Sequence, residues 1–93
     1  MDARVEQIRG LLHEAAETHH IVFRITDGND DDWATWYADW LVRLSEISDL
    51  LRRPLVRSEL TYQLVSLDRD YTASAPSVPW EQFYAERLLE HYT

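Results

Sequence analysis

The apolar positions of this chain recur at steps of three and four along four stretches, the spacing that lines one face of an α-helix. In the first stretch Val5, Ile8, Leu12, Ala15, His19 and Val22 form the stripe, with Leu11, Ala16 and Phe23 on or beside it. Asp2 is placed to cap the start of this helix. Gly10, inside it, costs up to ~1 kcal/mol relative to alanine. Residues 21–26 are rich in β-branched side chains and would also suit a short strand. No partner strand is evident elsewhere, so the helix is expected to run to about Ile25. Asp27-Gly28 then stops it, with Gly28 in the left-handed C′ position.

The second stretch organises the chain. Trp33, Trp36, Tyr37, Trp40, Leu41, Leu44 and Ile47 share a stripe directly behind three aspartates, Asp30, Asp31 and Asp32. Carboxylates there stabilise the positive end of a helix. A face with three indoles and a phenol, each ring hiding ~150–250 Å², has to be surrounded. This helix, from about Asp31 to Ile47 or Leu51 with an interruption expected at Ser48-Asp49, is therefore the expected spine of a bundle. Pro54 ends anything before it. Ser58 is the expected N-cap of a third helix, with an earlier start at Pro54 as the alternative, and Leu60, Leu64, Leu67 and Tyr71 are its stripe behind Val56. Residues 73–79 read as a loop. Pro79 suits the first position of a fourth helix, which carries Trp80, Phe83, Tyr84, Leu88 and His91 or Tyr92. The fold class expected is all-α: one domain over residues 1–93, a compact bundle of about four helices in up-down order or a close variant.

Composition narrows the chemistry. Ninety-three residues bury roughly two-thirds of the unfolded surface without staples. The absence of cysteine removes disulfides, thiolate zinc sites and a cysteine nucleophile. All nine basic residues are arginine and the net charge is −8. Such a surface repels the phosphate backbone of nucleic acid and anionic membranes, and it leaves a basic protein partner open. No signal peptide and no apolar run near the ~20 residues of a membrane span are present, so a cytoplasmic location is expected. With Gly10 and Gly28 as its only glycines, the chain has no Gly-rich phosphate loop, and no serine sits in a nucleophile-elbow context.

Four groups remain as candidates. His13, Glu17 and His20 include a Glu-x-x-His step, the ligand spacing of di-metal helical bundles. Glu17 lies roughly 160° from the stripe of its helix, and His13 and His20 roughly 100–120° from it. A surface metal is thus the weaker reading and a solvated face the stronger; a fuller ligand set would draw on Glu14, Glu86, Glu90 or His91. His19, in contrast, points into the stripe, as a core histidine whose ring is satisfied by a partner such as a tyrosine hydroxyl. The acidic turn from Asp27 resembles an EF-hand loop at its first, third and fifth positions. It fails at the sixth, Asp32 in place of glycine, and at the twelfth, Ala38 in place of glutamate. Arg52, Arg53 and Arg57 form a basic point, explained by the helix dipole or by an acidic groove of a partner or an anion. Tyr62 and Val65 lie roughly 130–170° off their stripe and Leu89 is similarly displaced, and a helix apolar on two faces is either central or covered by a partner. A small ligand among Trp33, Trp36, Tyr37, Trp40 and Trp80 is a further reading, against ordinary core packing.

The segments 32–38 (DWATWYA) and 79–89 (PWEQFYAERLL) resemble a set of short, acidic, helical bacterial proteins of uncharacterised function. The resemblance extends loosely from His19 to Leu89. It implies a bacterial cytosolic origin and supplies no activity, cofactor or catalytic residue. The expectation is a non-enzymatic interaction module that binds itself as a homodimer or binds another protein, through Tyr62, Val65, Leu89, Arg52, Arg53 and Arg57. The alternative is a metal- or small-ligand-binding bundle, enzymatic or not.

Overall fold

The break points of the helices follow from where side chains and left-handed residues intercept the backbone. In a computed structural model that describes residues 3–93, α1 runs over Ala3–Val22; Asp2, its expected cap, lies outside the described residues. The last α-type bond at this end is from the Phe23 N–H to the His19 carbonyl, at 2.9 Å. A single 3₁₀ turn follows over Arg24–Thr26. The Gly28 N–H folds back to the Phe23 carbonyl at 2.9 Å, and Thr26 Oγ1 lies within 3.0 Å of the carbonyls of Phe23 and Asn29, sharing its one proton between them. Gly28 is left-handed (φ 84°), as expected, and so is Asp27 (φ 55°). The α-helix thus ends three residues before Ile25. Val22, expected on the stripe, is exposed because the buried face of α1 ends one turn earlier, at His19.

The second stretch splits sooner than expected. α2 covers Trp33–Leu44 and α3 Ile47–Leu51. Ser45 makes the break: it turns extended, its hydroxyl donates to the Leu41 carbonyl and it accepts the Ile47 N–H. Competition of this kind is why serine favours helix ends over interiors. Arg52, left-handed at φ 59°, closes α3 ahead of Pro54. α4 spans Arg57–Ser74 and starts from an extended Val56, so Ser58 lies inside the helix and makes no cap. Left-handed Ala75 ends it. α5 covers Trp80–Tyr92, with Pro79 one position earlier than expected, as its N-cap.

The all-α bundle is as expected, with the four long helices in a ring. α1 packs chiefly on α5 and α2 chiefly on α4, and contacts of α1 with α2 and of α4 with α5 complete it. The fully buried side chains Ile8, Leu12, Leu41, Ile47, Leu51, Leu60, Leu64 and Leu88 fill the interior. Two expectations about it are corrected. On α2 the buried seam is Ala34, Ala38 and Leu41; the three indoles are half-buried and Leu44 is 67% exposed. Small residues let α2 approach its neighbours closely, and the rings lie to one side of the seam, Tyr37, Trp33 and Trp40 along its flank and Trp36 further round. On α5, Leu89 is buried with Phe83, Tyr84, Ala85, Leu88 and Tyr92. This helix faces both α1 and α4 and so hides a wider arc than one stripe. Among the described residues no helix is long and apolar enough to cross a membrane.

Candidate binding cleft

The turn between α1 and α2 is tied down by one buried polar contact. His19 Nε2 lies 3.0 Å from Asp30 Oδ2, and both side chains are largely removed from solvent. An ionised carboxylate only accepts, so Nε2 carries the proton and donates it. The imidazole stacks on Phe23 (4.6 Å between centroids) and meets Trp36 edge-on (5.0 Å) and Tyr37 at a tilt (5.2 Å). The other oxygen of Asp30 accepts the Asp32 N–H at 3.0 Å. One aspartate thus links the end of α1 to the start of α2. The ring of His19 is satisfied as expected, but by Asp30 and not by a tyrosine.

Beside this clasp opens a cleft of about 910 Å³, between the α1–α2 turn, the first half of α2 and the start of α4. Its apolar part comes from Phe23, Trp36 and Val56, and three carboxylates, Asp30, Asp32 and Asp39, stand along it. Val56 is 62% exposed. Arg57 is the basic group of the lining, and its Nη1 is 2.6 Å from Asp39 Oδ1. The guanidinium of Arg57, with that of Arg43 as a second donor, holds the Asp39 carboxyl below its usual range. Arg57 therefore sits in the cleft wall. Arg53 lies over the Tyr92 ring, 5.8 Å from its centroid, and Arg52 closes α3. The three arginines read together in the sequence serve three different places.

Tyr62 and Val65 are exposed, at 67% and 38%. Helical spacing puts them on the same outward side of α4 as Ser58 and Thr61, which line the cleft. Leu89, placed with them from the sequence, is in the core and unavailable to a partner.

Of the histidine and glutamate candidates His13, Glu17 and His20, the first two stand together. His13 Nε2 lies 3.1 Å from Glu17 and its Nδ1 2.7 Å from Glu81, so both ring nitrogens already face carboxylates. Those carboxylates, Glu81 foremost, raise its pKa above 6.5. His20 packs against the Gly28 turn instead of joining them. Glu14 borders a shallow hollow beside Trp40, and His91 approaches Glu59 at 4.0 Å. Among the described residues no three of His, Asp and Glu are grouped to hold a metal ion.

No family model, curated protein or solved structure matches the chain. What its surface can do therefore rests on its own geometry. The five aromatic residues named as a ligand site from the sequence also divide: Trp36 enters the cleft, Trp40 lies beside Glu14, and Trp33, Tyr37 and Trp80 share another hollow with Tyr71 and Tyr84. The clasp and the contribution of Phe23 and Val56 were missed in the sequence. The available signal was a histidine on an apolar stripe eleven residues ahead of Asp30.

Proposed function

We propose that this chain is a non-enzymatic, cytoplasmic protein-interaction module, and that the cleft between α2 and α4 receives a basic, partly apolar segment of another protein. The observation that carries this reading is the pairing of uncovered apolar side chains, Phe23, Trp36 and Val56, with a net acidic opening in which Asp30, Asp32 and Asp39 outnumber Arg57. Apolar side chains left uncovered in a groove gain by burial at ~25 cal/mol per Å², and acidic rims attract basic partners and speed their encounter. A net charge of −8 favours a heterologous basic partner over a second copy and disfavours nucleic acid. Tyr62 and Val65 extend the contact along the outer side of α4.

The test is capture of basic proteins at low and high salt by the immobilised chain, with mass readout and sedimentation to follow self-association. Val56→Asp and Val65→Asp alter exposed positions and should leave the helical circular dichroism unchanged. Val56→Asp should abolish capture and Val65→Asp weaken it, and retention should fall as salt rises. A chain that stays monomeric and retains no basic protein at low salt would end the proposal. So would a captured protein indifferent to both substitutions.

A further inference from the structure

Elsewhere on α2, five aromatic rings and one carboxylate line an open hollow of about 400 Å³ that shares no lining residue with the cleft. The rings form a continuous sequence of edge-to-face contacts: Trp33 on Tyr37 at 5.7 Å, Tyr37 on Trp80 at 6.4 Å, Trp80 on Tyr84 at 5.1 Å and Tyr84 on Tyr71 at 6.4 Å. Their interplanar angles of 64–90° set neighbouring rings as walls at steep angles. Three elements supply them: the first two turns of α2, the end of α4 and the start of α5. Asp68 stands among them, its carboxylate 3.3 Å from the Tyr84 hydroxyl. The Tyr71 hydroxyl donates to the Val78 carbonyl at 2.7 Å, which fixes that ring and turns its polar end toward the loop.

The faces of such rings carry partial negative charge, and cations bind over them best when desolvated. A primary ammonium also needs acceptors for three N–H groups, and here Asp68 is the one carboxylate of the lining. A quaternary ammonium needs none, because its charge is spread over methyl groups that pack on ring faces. The chain already uses arginine–ring contacts elsewhere, Arg87 over Phe83 at 4.6 Å and Arg53 over Tyr92, and neither of those rings lines this hollow. The hollow is also within the size range of small-ligand sites, roughly 300–1,000 Å³. We infer that the hollow formed by Trp33, Tyr37, Tyr71, Trp80 and Tyr84 beside Asp68 is a binding site for a small molecule bearing a quaternary ammonium group.

The experiment is an NMR titration of the ¹⁵N-labelled chain with choline chloride and with tetramethylammonium chloride, following the indole N–H signals. Saturable shifts are expected at Trp33 and Trp80, with Trp40, which lines a different hollow, unmoved. The neutral isostere 3,3-dimethylbutan-1-ol should bind roughly tenfold more weakly, the difference attributable to cation–ring and carboxylate attraction. Asp68→Asn, at an exposed residue, should weaken choline severalfold without altering the fold, and Trp80→Leu should abolish binding. Shifts that never saturate, equal binding of the neutral isostere, or Asp68→Asn without effect would overturn the inference. A trimethyllysine peptide that binds far more tightly than choline would overturn the assignment to a small molecule. The cleft plays no part in these readouts, so Val56→Asp should leave them unchanged.

Discussion

Removing one partner of the His19–Asp30 clasp should be far more damaging than its surface-turn location suggests. In Asp30→Ala the imidazole stays where Phe23, Trp36 and Tyr37 hold it, 6% exposed, with its Nε2 donor unpaired. Leaving a buried donor unsatisfied costs about 1–3 kcal/mol, and the Asp32 N–H loses its acceptor as well, adding roughly 0.5–1 kcal/mol. The sum is about 1.5–4 kcal/mol, which for a domain of this size lowers Tm by roughly 6–32 °C. His19→Phe is the informative counterpart. It keeps an aromatic ring in the same box and leaves behind a carboxylate at the edge of solvent, 13% exposed, that can recover water. Its cost should stay at about 1–2 kcal/mol. The double variant should then be less damaging than the two single costs added, with a coupling of about 1–2 kcal/mol. Urea unfolding followed by far-UV circular dichroism yields all four free energies. Strict additivity, or an Asp30→Ala variant within about 0.5 kcal/mol of the parent, would refute the clasp as the contact that holds this turn.

Gly28→Ala should cost about 1–3 kcal/mol by thermal unfolding, because φ is +84° there and a Cβ would sit 2.9 Å from His20 Nδ1. Adding His20→Ala should recover the crowding and not the backbone part. Gly10→Ala, with nothing within 4 Å of the new methyl in the middle of α1, should raise stability by roughly 0.5–1 kcal/mol in the same assay. For His13, NMR should find a midpoint above 6.5, and Glu81→Gln should lower it toward that value, since Glu81 is the largest cause of the shift. A histidine whose folded pKa is raised contributes stability that is fully present below about pH 6.5 and is lost as pH rises through the folded value. His13→Ala should accordingly flatten the decline in stability above that pH, by a small amount because the ring is solvent-exposed.

The helices were legible because their stripes are long, and the stripe of α4, Leu60, Leu64 and Leu67, lies buried where its spacing put it. Where pattern and structure part, hydrophobicity alone does not measure depth. On α2 the largest apolar residues are not the deepest; alanines set the distance between helices and the indoles lie to one side of the seam. Leu89 erred the other way, since a helix touching two neighbours buries residues that one stripe would leave outside. Side chain–backbone events such as Ser45 donating to Leu41, and left-handed Arg52 and Ala75, leave little trace in a pattern of apolar positions.

The same alanine seam explains how one short helix furnishes two unlike openings. With Ala34 and Ala38 inward, Tyr37 lies beside the seam and Trp36 about 100° further round the helix, so the two rings line different openings while still touching each other at 5.9 Å. Trp36 enters the acidic cleft, and Tyr37 joins Trp33 and Trp80 in the aromatic hollow. His19 touches both rings, and burial, then the charge of Glu81, pushes the Tyr37 hydroxyl above its ordinary value of 10.0. If α2 turned a bulky residue inward at 34 or 38, the helix would be forced outward and the registration of both openings would be lost together. Ala38→Leu should therefore weaken capture at the cleft and choline binding at the hollow in parallel, with unfolding monitored by circular dichroism at a cost of about 1–3 kcal/mol. Loss at one opening with the other intact would show that the two are built independently and that the seam does not set their shape.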